Sequence, residues 1–274
     1  MSSGGLAPGF HAAAGKPVDS LAYDRWVGRW SRLFVPLVVA AADIAAGDRV
    51  LDVSTGTGEA ARAVLPCIGA SGAVIGLDIA PAMLASARGR LAAPCFLPVA
   101  ADGEALPFAD ASFDAVLCQL GLQFFPDPAR GLAEFRRVLR PGARLAVCVI
   151  ATPDKAPMWG HLAEALSRRL PAQRALLHLS FSLADAARLR GLFEAAGFGD
   201  VAVERVVRQG GFESFDAYWE PVEAGIGSIP QIYRMLPAAE RRAVREEVRR
   251  ALSRYETGGA LAMSVEMLIA QGRA

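Results

Sequence analysis

Histidine and cysteine are scarce in this chain of 274 residues, with three of the first and four of the second. Cys67, Cys95, Cys118 and Cys148 form no C-x-x-C pair, and His11, His161 and His178 do not cluster with them. That spacing argues against a metal site and for reduced, buried packing cysteines of a cytoplasmic protein. Excess charge is missing as well. Twenty-nine basic residues face 28 acidic ones, so no long-range field draws nucleic acid or an anionic membrane. No apolar run near the N-terminus spans a bilayer. VPLVVAAADIAA (35–46) is too short, contains Asp43, and reads as a buried helix. The opening MSSGGLAPGFHAAAGKPV has no basic segment leading into an apolar one, so it is not a signal peptide and reads as a mobile leader over residues 1–18. Internal repeats, a G-K-[ST] phosphate loop, and any Ser/His/Asp, Cys/His or paired-carboxylate arrangement are also missing.

Hydrophobic residues make up 53% of the chain and charged residues 21%, a globular balance for one large domain or one domain with an inserted cap. From 48 to 150, short β-rich runs alternate with helical segments. The strands are RVLDVS (49–54), AVIGLDI (73–79), CFLPVAAD (95–102), SFDAVLCQ (112–119) and RLAVCVI (144–150). The helices are GEAARAVLPCI (58–68), cut by Pro66, PAMLASARGRLA (81–92) and DPARGLAEFRRVL (127–139), where Asp127 is the N-cap and Pro141-Gly142 the stop. Apolar strands with helices between them imply a parallel sheet covered on both faces, hence a doubly wound α/β fold. Beyond 150, helices are expected over 158–170, 182–198 and 212–256, with strands at 200–207 and 262–271. Segments 155–180 and 212–257 are candidate lids over the carboxyl edge of the sheet.

Ligands of such sheets bind at the carboxyl ends of the strands, and four features fall there. The loop Ser54-Thr55-Gly56-Thr57-Gly58 lets the backbone approach a ligand. It also fits G-x-G-x-x-A, the dinucleotide pattern, but Asp52 in the preceding strand is an odd neighbour for a pyrophosphate and suits an ammonium group. The alternative for Asp52 is a structural carboxylate that caps the loop's N–H groups. Asp78 ends the second strand and can accept from ribose hydroxyls or cap the next helix. Asp102-Gly103-Glu104 follows the third strand, either to meet an adenine edge or as a plain polar turn. Gln119-Leu120-Gly121-Leu122-Gln123-Phe124-Phe125 follows the fourth, flooring a pocket or packing the core.

The series LDVSTGTG, GLDIAPAML, ADGEALPFADASFDAV and EFRRVLRPGARLAV resembles a class I S-adenosylmethionine-dependent methyltransferase. It is closest to the group similar to the ubiquinone and menaquinone C-methyltransferases (methyltransferase type 11), and the likeness runs over about residues 23 to 150. The resemblance implies a Rossmann-like seven-stranded, mostly parallel sheet with a reversed last strand, and S-adenosyl-L-methionine as cofactor. It implies that Asp52, Ser54, Gly56, Thr57 and Gly58 surround the methionine part, with Gln119 and Leu120 on the sulfonium side. Asp78 would hold the ribose hydroxyls, with Ile79 and Met83 packed nearby, and Asp102, Gly103 and Glu104 would meet the adenine. YDRWVGRWSRLF (23–34) is similar to a family segment that closes over the cofactor. There Arg29 would pair with the cofactor carboxylate and Tyr23 and Trp30 would pack on it, or the segment is a surface helix with core tryptophans. Ser54 stands where the family has glycine, and Ala143 replaces the second glycine of PGG.

The expected reaction is methyl transfer by in-line displacement to a C-, O- or N-nucleophile. The expected organisation is N-terminal helices at 19–46, a cofactor core at 47–150 and the two lids, all one domain over 19–274, as a monomer or homodimer. Trp159, Phe181, Phe212, Phe215, Tyr218, Trp219 and Tyr233 in the lids favour a small, partly apolar acceptor, with no nucleic-acid partner and no membrane insertion. His161 is a weak candidate for a general base, against a surface helix histidine. ERRAVREEVRR reads as a solvated helix face. Two other readings stay open: a non-methylating protein that uses the cofactor structurally, and an NAD(P)-dependent oxidoreductase.

Overall fold

The computed structural model describes residues 19–274, so the expected leader at 1–18 lies outside the described residues. The N-terminal helix is built in three pieces. Helix α1 (Ser20–Tyr23) passes into a π-helical turn (Asp24–Gly28) and then into α2 (Arg29–Ala41). Alternation follows as expected: β1 (Arg49–Val53), α3 (Glu59–Ile68), β2 (Ala73–Asp78), α4 (Pro81–Leu91), β3 (Phe96–Ala100), β4 (Phe113–Gln119), α5 (Pro128–Val138) and β5 (Leu139–Ile150). Pro66 does not cut α3, which continues to Ile68 and stops at Gly69. The remaining elements are α6 (Pro157–Arg169), α7 (Arg174–Leu177), α8 (Ala186–Ala195), β6 (Gly199–Phe212), α9 (Phe215–Ala224), α10 (Ser228–Arg234), α11 (Ala238–Leu252), β7 (Glu256–Thr257) and β8 (Ala260–Arg273).

The sheet order is β3-β2-β1-β4-β5-β8-β6. Strands β1 to β5 pair in parallel, and β8 runs antiparallel to both β5 and β6. The seven long strands thus form a mostly parallel sheet with its last strand reversed. The two-residue β7 is extra and turns into β8 through Gly258 and Gly259, both at positive φ. Chain order reverses between β1 and β4, which opens a crevice at their carboxyl ends. One face of the sheet is covered by the α2–α3 layer and the other by α5 and α8, and fully buried Val, Leu and Ile side chains fill both.

The EFRRVL stretch has a mechanical reason. Arg137 donates to the carbonyls of Leu106 and Phe108 and to Asp110, while Glu134 accepts from the Leu106 N–H. Together they clamp the loop after β3. In the PGA turn only Gly142 has positive φ, at 81°, so Ala143 is accommodated without strain. Cys118 and Cys148 are buried, but Cys67 is exposed, which corrects the expectation of uniformly buried cysteines.

Candidate functional site

The loop after β1 is tightly wound. Ser54, Gly56 and Gly58 take φ of 58°, 55° and 86°. Two carboxylates hold it. Asp52, fully buried, accepts from Thr55 Oγ1 at 2.6 Å and from the Ala61 N–H at 3.1 Å through one oxygen. The other oxygen has no partner among the described residues, and burial pushes the carboxyl up to about 7. Asp78 accepts the Gly56 N–H and the Ala80 N–H, each at 2.9 Å, and burial raises its pKa as well. Asp78 thus holds the loop at Gly56 and Asp52 ties Thr55 to α3; neither caps as the structural alternatives had it, and both still line open space.

That space is a cleft of about 730 Å³ lined by Asp78, Ile79, Met83, Asp102, Gly103 and the run from Gln119 to Gly121, among others. It continues into a lobe of about 370 Å³ at Asp52, Thr57 and Glu59. Tyr23, Ser54, Gly56, Gln119 and Leu120 line both parts. The Gln119 carboxamide is buried in this wall with no hydrogen-bond partner among the described residues. Asp102 sits at the exposed far end, where its side chain accepts the Glu104 N–H at 2.9 Å.

A second chamber, of about 460 Å³, lies on the other side of Tyr23, Leu120 and Phe124, which line it and the cleft alike. Its remaining walls include Trp26, Trp159, Ile229, Pro230 and Gln123. No Asp, Glu, Lys, Arg, His or Cys is found among its described lining residues. The π-helical turn forms part of the partition and is tied down by ions. Asp24 accepts from Thr57 Oγ1 at 2.9 Å and pairs with Arg90 at 2.7 Å, and Arg90 reaches Glu59 at 2.8 Å.

A family model described as a methyltransferase domain matches residues 51–147. A demethylmenaquinone methyltransferase of Renibacterium salmoninarum is 40% identical over 144 residues, 53% of this chain and 57% of that protein. A ubiquinone/menaquinone biosynthesis C-methyltransferase, UbiE, of Teredinibacter turnerae is 32% identical over 209 residues, 69% of this chain and 81% of that protein. The chain belongs to the class I S-adenosylmethionine-dependent methyltransferases of the UbiE type. The YcgJ protein of Bacillus subtilis shares the fold, with a TM-score of 0.58 at 20% identity over 87% of this chain and 97% of that one. The protein is thus an enzyme whose cofactor is S-adenosyl-L-methionine. Among its described residues no helix is long and apolar enough to cross a membrane.

Several residues read from this methyltransferase's sequence meet in the cleft: Tyr23, Asp52, Ser54, Gly56, Thr57, Asp78, Ile79, Met83, Asp102, Gly103, Gln119 and Leu120. Others do not. Arg29 is turned away, its guanidinium 4.2 Å above the Phe212 ring and donating to the Gly211 carbonyl. Trp30 is wholly buried between Trp159 and Phe212. Glu104 accepts the Asp127 N–H at 2.7 Å and braces α5 instead of lining the cleft. Gly58 starts α3 beneath Leu91, and its positive φ shapes the loop from behind. His161 lies on the outer side of α6 against Arg254 and Tyr255, with its pKa lowered by burial and then by Arg254, and it reaches neither cavity.

The lid aromatics mostly pack on one another. Phe215 stacks on Trp219, Trp219 meets Tyr233 edge-on, and Tyr218 donates to the Met158 carbonyl. Of that group only Trp159 lines the chamber. Gln123 belongs to the run after β4 expected to floor a pocket or pack the core, and it lines the chamber; Trp26, inside the 23–34 segment, lines it too, with no strand-end signal to mark it.

Proposed function

We propose that this enzyme moves the methyl group of S-adenosylmethionine onto a small, uncharged, partly apolar acceptor seated in the chamber behind Tyr23, Leu120 and Phe124. The observation that carries this reading is the shared wall, because the same three side chains border the cleft and the apolar chamber. The cleft fits the cofactor's chemistry. The unpartnered oxygen of Asp52 and the unpartnered amide of Gln119 suit the amino-acid end, Asp78 suits the ribose, and Ile79, Met83 and Asp102 suit the adenine. When bound, the cofactor supplies a methyl group already activated by its sulfonium. The chain's own residues then have to align the acceptor and exclude water. The chamber's apolar walls and the ion-tied π-helical turn serve both ends. None of its lining residues is a base at neutral pH, since burial holds the Tyr23 hydroxyl far above its ordinary pKa. The acceptor therefore brings its own nucleophilicity. The relatives' names, one a demethylmenaquinone methyltransferase and the other a C-methyltransferase of ubiquinone/menaquinone biosynthesis, agree with a quinone-like acceptor, which in its reduced form is an aromatic diol.

Transfer of a tritiated methyl group to hydroquinones, naphthols and fatty acids tests the reading. An aromatic product is expected, and Ile229→Arg, which places a charge in the chamber, should suppress it while leaving S-adenosylhomocysteine affinity unchanged. Undiminished turnover in that variant would rule the chamber out.

A further inference from the structure

The methyl-transfer scheme leaves the surroundings of Gln123 unexplained. It sits in the single turn Leu122–Phe124 just past β4, is 1% exposed, and lines the apolar chamber. Neither its amide nitrogen nor its amide oxygen has a hydrogen-bond partner among the described residues. Its backbone is held, because Ser182 Oγ donates to the Gln123 carbonyl at 2.8 Å. A carboxamide carries two donors and one acceptor, and burying it unpaired is costly. Chambers of this kind orient their ligands with a few such groups set in apolar walls. The walls here are mainly apolar, with Trp26, Phe124, Trp159, Ile229 and Pro230; the hydroxyl-bearing Tyr23, Ser180 and Ser228 also line it, and no ionised side chain is present among the described lining.

From this geometry we infer that Gln123 is the polar anchor of the acceptor chamber and selects an uncharged aromatic acceptor by its hydroxyl or carbonyl oxygen. The assignment rests on the chamber being the acceptor site. A buried amide built to meet an oxygen rejects the analogue that lacks it far more strongly than an apolar wall rejects a missing methylene. A carboxylate ligand would enter without a counter-charge and is disfavoured.

The test is calorimetry on protein saturated with S-adenosylhomocysteine, with 1-naphthol, naphthalene and 1-naphthoate as probes. The wild type should bind 1-naphthol about tenfold or more tighter than naphthalene, and 1-naphthoate weakest. Gln123→Leu should erase the preference by weakening 1-naphthol alone, and the shape-conserving Gln123→Met should do the same. Both variants should keep the wild-type S-adenosylhomocysteine affinity and a melting temperature no lower than wild type, because an unpaired buried amide has been removed. Equal binding of naphthol and naphthalene by the wild type, tightest binding of naphthoate, or an unchanged naphthol preference in both variants would each overturn the inference. Absence of S-adenosylhomocysteine binding to the wild type would instead overturn the reading of the cleft, so the two failures are distinct.

Discussion

Ser54 and Gly121 occupy complementary space: a Cβ placed on Gly121 would stand 2.5 Å from both Cβ and Oγ of Ser54. Ser54 itself holds φ at 58°, a conformation that glycine adopts without penalty. The serine at a family glycine position is accommodated because the facing residue has no side chain. Gly121→Ala should therefore push the loop out of shape and weaken S-adenosylhomocysteine binding by about tenfold or more, the result of ~1–3 kcal/mol of overpacking. Ser54→Gly alone should leave affinity nearly intact. The double variant should recover part of the loss, and calorimetry on all four proteins gives the coupling directly.

Asp52 sets a pH dependence. Its carboxyl sits at about 7 against an ordinary 3.8, because burial disfavours the charge. Between those values the folded state binds more protons than the unfolded one, so this group's contribution is full below the lower value and falls as pH rises through the higher. Asp52→Asn should consequently raise the melting temperature more at pH 8 than at pH 5. Cofactor binding runs the other way, since the ammonium group favours the ionised carboxylate. Wild-type affinity for S-adenosylhomocysteine should tighten as pH rises towards and past about 7, and Asp52→Asn should be weaker and flat.

The ion pairs of Arg90 with Asp24 and Glu59 fasten the π-helical turn over the cleft. Arg90 is about one-third exposed, so solvent screens part of each pair. Arg90→Met should weaken S-adenosylhomocysteine binding about fivefold, ~1 kcal/mol, mainly through a faster off-rate. Amides of residues 20–28 should exchange faster in the same variant, which mass-detected hydrogen exchange will show.

Arg29 does not line the cleft in this structure, where it lies over Phe212. Arg29→Ala should lower stability by about 1 kcal/mol through the lost contact with Phe212, yet leave S-adenosylhomocysteine affinity within about twofold. A large affinity loss would mean that the guanidinium swings into the cleft.

These assignments show where sequence was legible. Asp78 and Asp102 are legible because strand–helix alternation places the end of each strand at one edge of the sheet, whereas Ile79 and Met83 follow only from the family resemblance. Arg29 and Trp30 were misplaced for a local reason. A π-helical turn at Asp24–Gly28 inserts an extra residue into the helix and changes the phase between Tyr23, which faces the cleft, and Arg29, which faces β6. The chamber was illegible because its walls come from the π-helical turn, the turn after β4, α6 and α10, segments that only tertiary packing brings together. Of the aromatics expected around the acceptor only Trp159 lines the chamber, since most of the others pack on one another.

The central claim is that the glycine loop held by Asp52 and Asp78 is the cofactor cradle. Calorimetric titration of S-adenosylhomocysteine into the wild type and Gly56→Val tests it most directly, because a β-branched residue cannot hold the φ of 55° found at position 56. The account predicts one saturable site in the wild type and none in a folded Gly56→Val. Equal affinity in the two proteins would contradict it.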